Sequence, residues 1–341
     1  MKFNEDTIKT FLEFTQKERT LDAVCNKLEM GELEVLGLVS YIRKKGTNIA
    51  IRNNLDRISM INMGDKKLHK KKTKQFYTDE TNEIKFILIS DTRLGSKYQQ
   101  LSILNDIYKK GYEMGYHNVL LCGNISAGLY SIKDIYSETN FINDTYGQID
   151  YIIKNYPKVE GMKTYFITGK VDDKHLSMEN ISIGKRISEV RDDMIFLGEN
   201  SCDIKIDNVT MKLLSNKLAK TYTVSYRTQQ HIGSIRSEDK PDIFANGGLL
   251  QAEKFKYRNV HCLSVPSVCA TTKEMDEKRY ANTIGAWYMT ITVDEKGSLK
   301  DCKSLLSPYY VTEDNDYLYS KQLKITNQEE GKKLVKKRGN K

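Results

Sequence analysis

Three features of the sequence predict an α/β protein with a small helical unit in front of it. From Glu83 onward, short apolar runs alternate with amphipathic helical stretches, the rhythm of strands and helices packed in layers. The early runs, such as "IKFILIS" (84–90), are unbroken, as buried parallel strands are, whereas the late ones alternate as antiparallel strands do. Before residue 64 the apolar period is helical, and it gives way to two short strands.

The front unit spans 1–64. Its first helix carries Ile8, Phe11, Leu12 and Phe14. A second begins at "TLDAVCNKLEM", with Thr20 as N-cap and Leu21, Val24, Cys25 and Leu28 at helical spacing, and Met30-Gly31 breaks it. A third, "ELEVLGLVSYIRKKG", places Leu33, Leu36, Val39 and Ile42 on one face and stops at Gly46. The strands "NIAIRN" and "DRISMIN" close the unit. Helix, helix, turn, helix and hairpin is the order of a winged helix-turn-helix. As a DNA reader, it would offer Arg43, Lys44 and Lys45 from the third helix and Arg52 and Arg57 from the hairpin. Glu32 and Glu34 at that helix's start disfavour phosphate and leave protein docking as an alternative.

Residues 65–82 read as a basic linker without periodicity. The domain expected at 83–320 begins with "IKFILIS". The helix "YQQLSILNDIYKKGYEMG" follows, with Leu101, Leu104, Tyr108 and Gly111 on one face. The strand "NVLLCG", helix "YGQIDYIIKNY", strand "KTYFITG", helix "ISIGKRISEVRDD" and strand "MIFLG" come next. A hairpin turning at Asp207-Asn208, the helix "YTVSYRTQQHIGSI" and the strand "DIFANGG" precede the closing antiparallel strands, which turn at Arg258-Asn259 and at Glu295 to Gly297. Residues 321–341 read as a basic, disordered tail.

A chain of 341 residues exceeds one ordinary core, and 39% apolar with 29% charged residues is a globular composition. No apolar run approaches the roughly 18 residues that span a bilayer, and no signal-peptide core is visible, so a cytoplasmic protein without membrane contact is expected. Six scattered cysteines with no C-x-x-C pair suit reduced core thiols; Cys262, beside His261 in an alternating strand, is one. The net charge of +9 is local. "KKLHKKKTK" (66–74) and "KKLVKKRGNK" (332–341) hold twelve cations and no acid, and the remainder has 42 basic against 45 acidic residues. Lys66, Lys67, Lys70, Lys71, Lys72 and Lys74 are therefore candidate polyanion contacts, and DNA the expected partner, with a protein partner or self-association as alternatives.

In parallel sheets chemistry gathers beyond the carboxyl ends of strands. The corresponding loops here read "SDTRLGSK", "CGNISAG", "TGKVDDKH" and "NGGLLQA". Their order and strand context resemble the calcineurin-like metallophosphoesterases, in particular bacterial and viral members with an N-terminal winged helix. The resemblance spans nearly the whole chain, including "TYTVSYRTQQ" and "GAWYMTITVDEKGSL", and implies a β-sandwich flanked by helices. A Lys-, Ile-, Asn- and Tyr-rich composition fits an AT-rich bacterial, plasmid or phage genome.

That family carries D-x-H, G-D-x-x, G-N-H-[DE], a lone histidine and G-H-x-H, which together hold two divalent metals about 3.5–4 Å apart. The resemblance implies that this site is vestigial. Asp91 is retained, but Arg93 stands for the first histidine and Asn124 for the bridging aspartate. Lys170 and Val171 replace the next asparagine and histidine, with Asp172 kept; Ser215 stands near the lone histidine, and Gly248 and Leu250 replace the last pair. No metal or other cofactor is then expected, with Arg93 and Lys170 filling the emptied positions and Arg93 pairing with Asp91. Arg93, Lys97 and Lys170 could still bind an anion. The leading expectation is a non-catalytic, DNA-binding regulatory or architectural protein. A divergent single-metal phosphodiesterase or nuclease using Asp91, Asp172, Asp173 and His175 is the enzymatic alternative, and a protein-interaction subunit the third. No Walker loop or G-x-S-x-G elbow suggests other chemistry.

Overall fold

The computed structural model describes residues 3–16, 19–45, 47–54, 57–65, 73–130, 137–215 and 223–318. The chain divides into two compact units, 1–71 and 72–341.

The first unit comprises α1 (Glu5–Phe14), β1 (Arg19–Thr20), α2 (Leu21–Leu28), α3 (Glu32–Lys44), β2 (Thr47–Asn54) and β3 (Arg57–Asp65), with the strands in antiparallel order β1-β3-β2. Thr20 caps α2, its hydroxyl accepting the Ala23 amide at 3.3 Å. At α3 the Glu34 carboxylate accepts the Gly31 amide at 3.0 Å, so one of the two acids at this helix start closes its own first turn. The core is Phe11, Leu21, Val24, Val35, Leu38, Val39, Ile42, Ile49 and Met60. The inner face of α3 thus differs from the expected one. Val39 and Ile42 are buried as expected, but Val35 and Leu38 complete the stripe, while Leu33 is 86% exposed and Leu36 only half-buried.

In the second unit the elements are β4 (Thr73–Phe76), β5 (Glu83–Ile89), α4 (Leu101–Glu113), β6 (Asn118–Cys122), α5 (Thr145–Asn155), β7 (Lys163–Thr168), α6 (Asp173–Glu179), α7 (Ile183–Val190) and β8 (Met194–Glu199). They continue through β9 (Ser201–Ile206), β10 (Val209–Ser215), α8 (Val224–Ser234), β11 (Ile243–Gly247), β12 (Glu253–Tyr257), β13 (Val260–Ser264), α9 (Lys273–Glu277), β14 (Ile284–Val293) and β15 (Leu299–Tyr309). Two six-stranded sheets result, ordered β15-β14-β5-β6-β7-β8 and β12-β13-β11-β10-β9-β4. β5 to β8 run parallel, as the unbroken runs predict, and β14 joins them antiparallel.

The fold is an α/β sandwich. Phe86, Leu88, Leu120 and Ile167 of one sheet share a core with Met211, Leu213, Ile243 and Leu263 of the other. Alternate residues Ile87, Ile89, Val119, Leu121 and Phe166 lie in a second core with Leu104 and Ile107 of α4, Ile149 and Ile152 of α5 and Ile187 of α7. All four residues of the expected α4 face are buried, and a Cβ at Gly111 would strike Ile87, so the helix needs glycine there. The hairpin turn at Arg258-Asn259 has positive φ at both residues (47° and 67°), the type I′ geometry that matches strand twist.

Two further expectations fail. Within the expected linker, residues 73–76 form β4, paired parallel to β9, and Phe76 packs edge-on against Phe86 and Tyr165 at 5.2 and 4.8 Å. Four residues are too few to show a period, so the strand is set by this packing. In "TGKVDDKH", the tail becomes α6, whose seven residues carry no apolar stripe beyond His175. Cys262 is a buried core thiol as expected, and none of the six cysteines is in a disulfide. No helix among the described residues is long and apolar enough to cross a membrane.

Candidate functional site

The carboxyl ends of β5, β6, β7, β10 and β11 meet at one edge of the sandwich. Asp91 and Arg93 follow β5 with φ of 50° and 44°, and Asn124 follows β6 with φ of 57°. Left-handed backbone is uncommon outside glycine, asparagine and aspartate, so Arg93 sits in a strained turn. Backbone bonds hold it: the Asp91 amide donates to Gly123 O at 3.0 Å and the Arg93 amide to Asn124 O at 3.1 Å.

The Asp91 carboxylate is fully buried and saturated with donors. Oδ1 accepts Arg93 Nε at 3.3 Å, Arg93 Nη2 at 3.2 Å and Asn124 Nδ2 at 2.9 Å. Ser90 Oγ lies 2.8 Å from Oδ2 and itself accepts the Gly248 amide at 3.1 Å. The orientation of Asn124 is fixed from its other end, where Oδ1 accepts the Val171 amide at 3.0 Å. Behind it, Ser215 Oγ is wedged against Gly123 and Gly169, where a Cβ would collide with it, and finds no hydrogen-bond partner among the described residues.

Of the positions expected to form the vestigial site, Asp91, Arg93, Asn124, Val171, Ser215 and Gly248 are thus brought together. The others are not. Lys170 is exposed and is not among the groups that bond Asp91, contrary to the expectation that it fills a metal position. Leu250, with φ of 66°, packs with Cys269 and Met275. In the expected anion set, Lys97 and Lys170 are exposed, while the Arg93 guanidinium is 14% exposed and committed to Asp91.

Asp172 faces the interior. Its carboxylate accepts the amides of Ile125, Ser126 and Gly169 at 3.2, 2.9 and 2.8 Å and the Ser126 hydroxyl at 2.7 Å, stapling the β6 and β7 loops together. His175 is also buried, with Nε2 3.0 Å from Ser126 Oγ and Nδ1 2.8 Å from Thr145 Oγ1. The protons follow. Ser126 donates its hydrogen to Asp172, so it accepts Nε2–H, and Nδ1 accepts the Thr145 hydroxyl. Burial pushes Asp172 up to about 6, against its hydrogen bonds, and pushes His175 down to about 4. Asp173 instead holds Asn200, whose Nδ2 reaches both its oxygens at 3.0 Å. Among the described residues, no group of three or more His, Cys, Asp or Glu side chains is arranged to hold a metal ion. Ser90 and Ser126 carry much of this geometry, and no motif marks either.

The candidate DNA contacts divide. Arg43 Nε and Nη2 donate to Ile49 O at 2.9 and 2.6 Å, tying α3 to β2, so its guanidinium serves the fold. Lys45 lies 5.0 Å from the Tyr41 ring, and Lys74, on β4, lies 5.3 Å from that of Tyr165. Lys44 is exposed. The side chains of Arg52 and Arg57, the lysines at 66, 67, 70, 71 and 72, and the tail lie outside the described residues.

Neither a protein-family model nor a curated protein matches the chain. Among solved structures, it is similar to an archaeal phosphodiesterase, at 10% identity over 66% of this chain and 100% of the other, with a TM-score of 0.37. It is similar also to Vps29 complexed with zinc from Entamoeba histolytica, at 12% identity over 65% and 99% of the two chains, with a TM-score of 0.34. A third is a 5′-nucleotidase precursor from Thermus thermophilus, at 8% identity over 73% of this chain and 59% of that one, with a TM-score of 0.38.

Proposed function

We propose that this chain is a metallophosphoesterase-fold protein in which an internal ion pair has replaced the metal site, and that it acts without catalysis as a DNA-binding regulatory or architectural protein through a winged-helix front unit. The observation that carries the first part is the occupancy of Asp91. A divalent cation on Oδ1 would have to displace a guanidinium and would meet the N–H face of Asn124. Val171 prevents that amide from turning its oxygen inward. Two dications need several carboxylate and imidazole donors; one saturated carboxylate with an amide and a serine does not fit them. The enzymatic alternative fares no better, since Asp172 commits its oxygens to Ile125, Ser126 and Gly169 and His175 commits both ring nitrogens to Ser126 and Thr145.

The three helices and three-stranded sheet of the first unit, in the order α1-β1-α2-α3-β2-β3, support the winged-helix reading. A second reading has its own observation: on α3, Leu33 is 86% exposed and the Arg43 guanidinium is tied to the Ile49 carbonyl, which suits protein docking. Two measurements decide between these functions. Purified protein should contain no stoichiometric Mn, Fe or Zn and should leave a chromogenic phosphodiester intact with Mn²⁺; a metal-dependent activity abolished by Asp91→Ala would overturn the first part. DNA binding should weaken steeply with salt and with Lys44→Ala. No DNA affinity at low salt would transfer the function of this unit to protein docking.

A further inference from the structure

We propose that α3 of the first unit is a self-association helix, laid antiparallel against α3 of a second copy of this chain. The inference rests on the docking reading of α3 and names its partner. Opposite the buried stripe Val35, Leu38, Val39 and Ile42, the helix carries Leu33, Leu36, Gly37, Ser40 and Lys44 on one face. Leu33 is 86% exposed, and Leu36 is half-buried outside the core of the unit. Phe3 and Tyr41, half-buried and stacked edge-on at 5.6 Å, widen the apolar surface on the Gly37 side. From Leu33 to Ile42 the helix has no Arg, Lys, Asn or Gln to offer a base edge. Two leucines beside two small residues suit another helix instead, since Gly37 and Ser40 let a second backbone come close.

The distribution of charge selects the occupant. The start of α3 and the turn before it carry Glu32 and Glu29, while its end carries Lys44 and Lys45, all of them exposed. Glu32 and Lys44 are about 18 Å apart along the helix, more than the roughly 8 Å over which salt screens exposed charges. A parallel copy would set acid against acid and base against base. An antiparallel copy sets the acidic start of each helix against the basic end of the other, and the helix dipoles agree with it. With the two-fold axis at Leu36 and Gly37, Leu36 meets Leu36 of the other copy, Gly37 meets Gly37, and each Leu33 lies over the other's Ser40. Lys44 then comes within about 4.5 Å of the other copy's Glu32 along the axis, while like charges stay about 13 Å or more apart. Such a contact is isologous and closes on itself, so it gives a dimer and not a filament. One pair of 13-residue helices buries less than a standard interface of about 1,600 Å², so the dimer should dissociate at micromolar concentration.

Sedimentation equilibrium on the full-length chain without DNA tests this, over concentrations from about 1 to 200 µM. The wild type should pass from the 39.3 kDa chain mass towards twice that value. Leu33→Glu should leave the monomer, and because that side chain is exposed the fold should survive, as circular dichroism will check. Lys44→Glu, and the double variant Glu29→Lys with Glu32→Lys, should each weaken the dimer by about tenfold or more. An equimolar mixture of these two proteins should associate as well as the wild type, because both ends of the mixed dimer again pair unlike charges. A wild type that stays monomeric, a dimer indifferent to Leu33→Glu, or a mixture no better than its components would each overturn the proposal. DNA binding separates this inference from the reading beneath it. A monomer with no DNA affinity at low salt overturns self-association alone, whereas a monomer whose DNA affinity falls with both Lys44→Ala and Leu33→Glu overturns docking by α3 as well.

Discussion

Asn124 holds Asp91 and Val171 at once: its Nδ2 donates to Asp91 Oδ1 at 2.9 Å while its Oδ1 accepts the Val171 amide at 3.0 Å. An aspartate in its place could keep the second bond only by setting a carboxylate oxygen against Asp91. Asn124→Asp should therefore destabilise the second unit by about 2–4 kcal/mol, read as a lower urea midpoint at neutral pH. Adding Arg93→His would remove the guanidinium and supply an imidazole. In that double variant Mn²⁺ should raise the melting temperature, whereas in the wild type it should not. Mn²⁺ stabilisation of the wild type would contradict the ion-pair reading.

Arg93 is the more costly residue to remove. Breaking a buried pair on one side typically costs about 3–5 kcal/mol, because the surviving charge is left without its partner. Arg93→Met should lose roughly that much, less what Ser90 and Asn124 retain. Arg93→Lys should recover only part, since one ammonium cannot supply both the Nε and Nη2 bonds to Oδ1. Thermal unfolding of the three proteins gives the ranking.

The strands before this pocket were legible because each is a long apolar run, and the pairing of Arg93 with Asp91 was expected only through the resemblance, which sets Arg93 where a metal-binding histidine would stand. The fate of Lys170 was not. Its neighbour Gly169 is buried, but nothing in "TGKVDDKH" tells that the lysine points outward while Asp172 turns in to collect amides from two loops. β4 escaped for a related reason: Phe76 is fixed by Phe86 and Tyr165, partners that are remote in sequence. Half of the α3 face was misread because both stripes contain leucines and share Val39 and Ile42, and only packing against α2 and β2 chooses between them.

The buried pair Asp172 and His175 makes a prediction about acid. His175 is held near 4, below its ordinary 6.5, so the unfolded chain binds its proton first and stability falls as pH drops from about 6.5 to 4. Asp172 is raised to about 6 from 3.8, so the folded chain binds that proton first and stability rises over nearly the same window. Each limb is worth roughly 3 kcal/mol, and in the wild type they largely cancel. Asp172→Asn should remove one limb and expose the other, giving a urea midpoint that falls between pH 6.5 and 4 more steeply than that of the wild type. Parallel pH profiles would show that the two groups do not titrate as the geometry implies.

The start of α4 depends on a residue from the other end of the domain. Gln100 occupies its N-cap position but gives its side chain to Glu313, Nε2 donating to Glu313 O at 3.0 Å and Oε1 accepting the Glu313 amide at 2.8 Å. The Ser102 amide would be left bare, and Asp316 takes it, with oxygens at 3.1 and 3.3 Å. A buried carboxylate at a helix N-terminus gains from the dipole as well as from the bond. Asp316→Ala should therefore cost about 1–2 kcal/mol, near the upper end for a cap because no water replaces a buried acceptor. Asp316→Asn keeps an acceptor oxygen and should recover about half. In a unit of this size that is a fall of about 2–8 °C in melting temperature for the alanine variant. Amide exchange at Ser102 and Ile103 should accelerate in Asp316→Ala while the β14–β15 ladder stays protected, and equal acceleration at both would mean that the strap 310–318 braces the whole sheet and not the helix end alone.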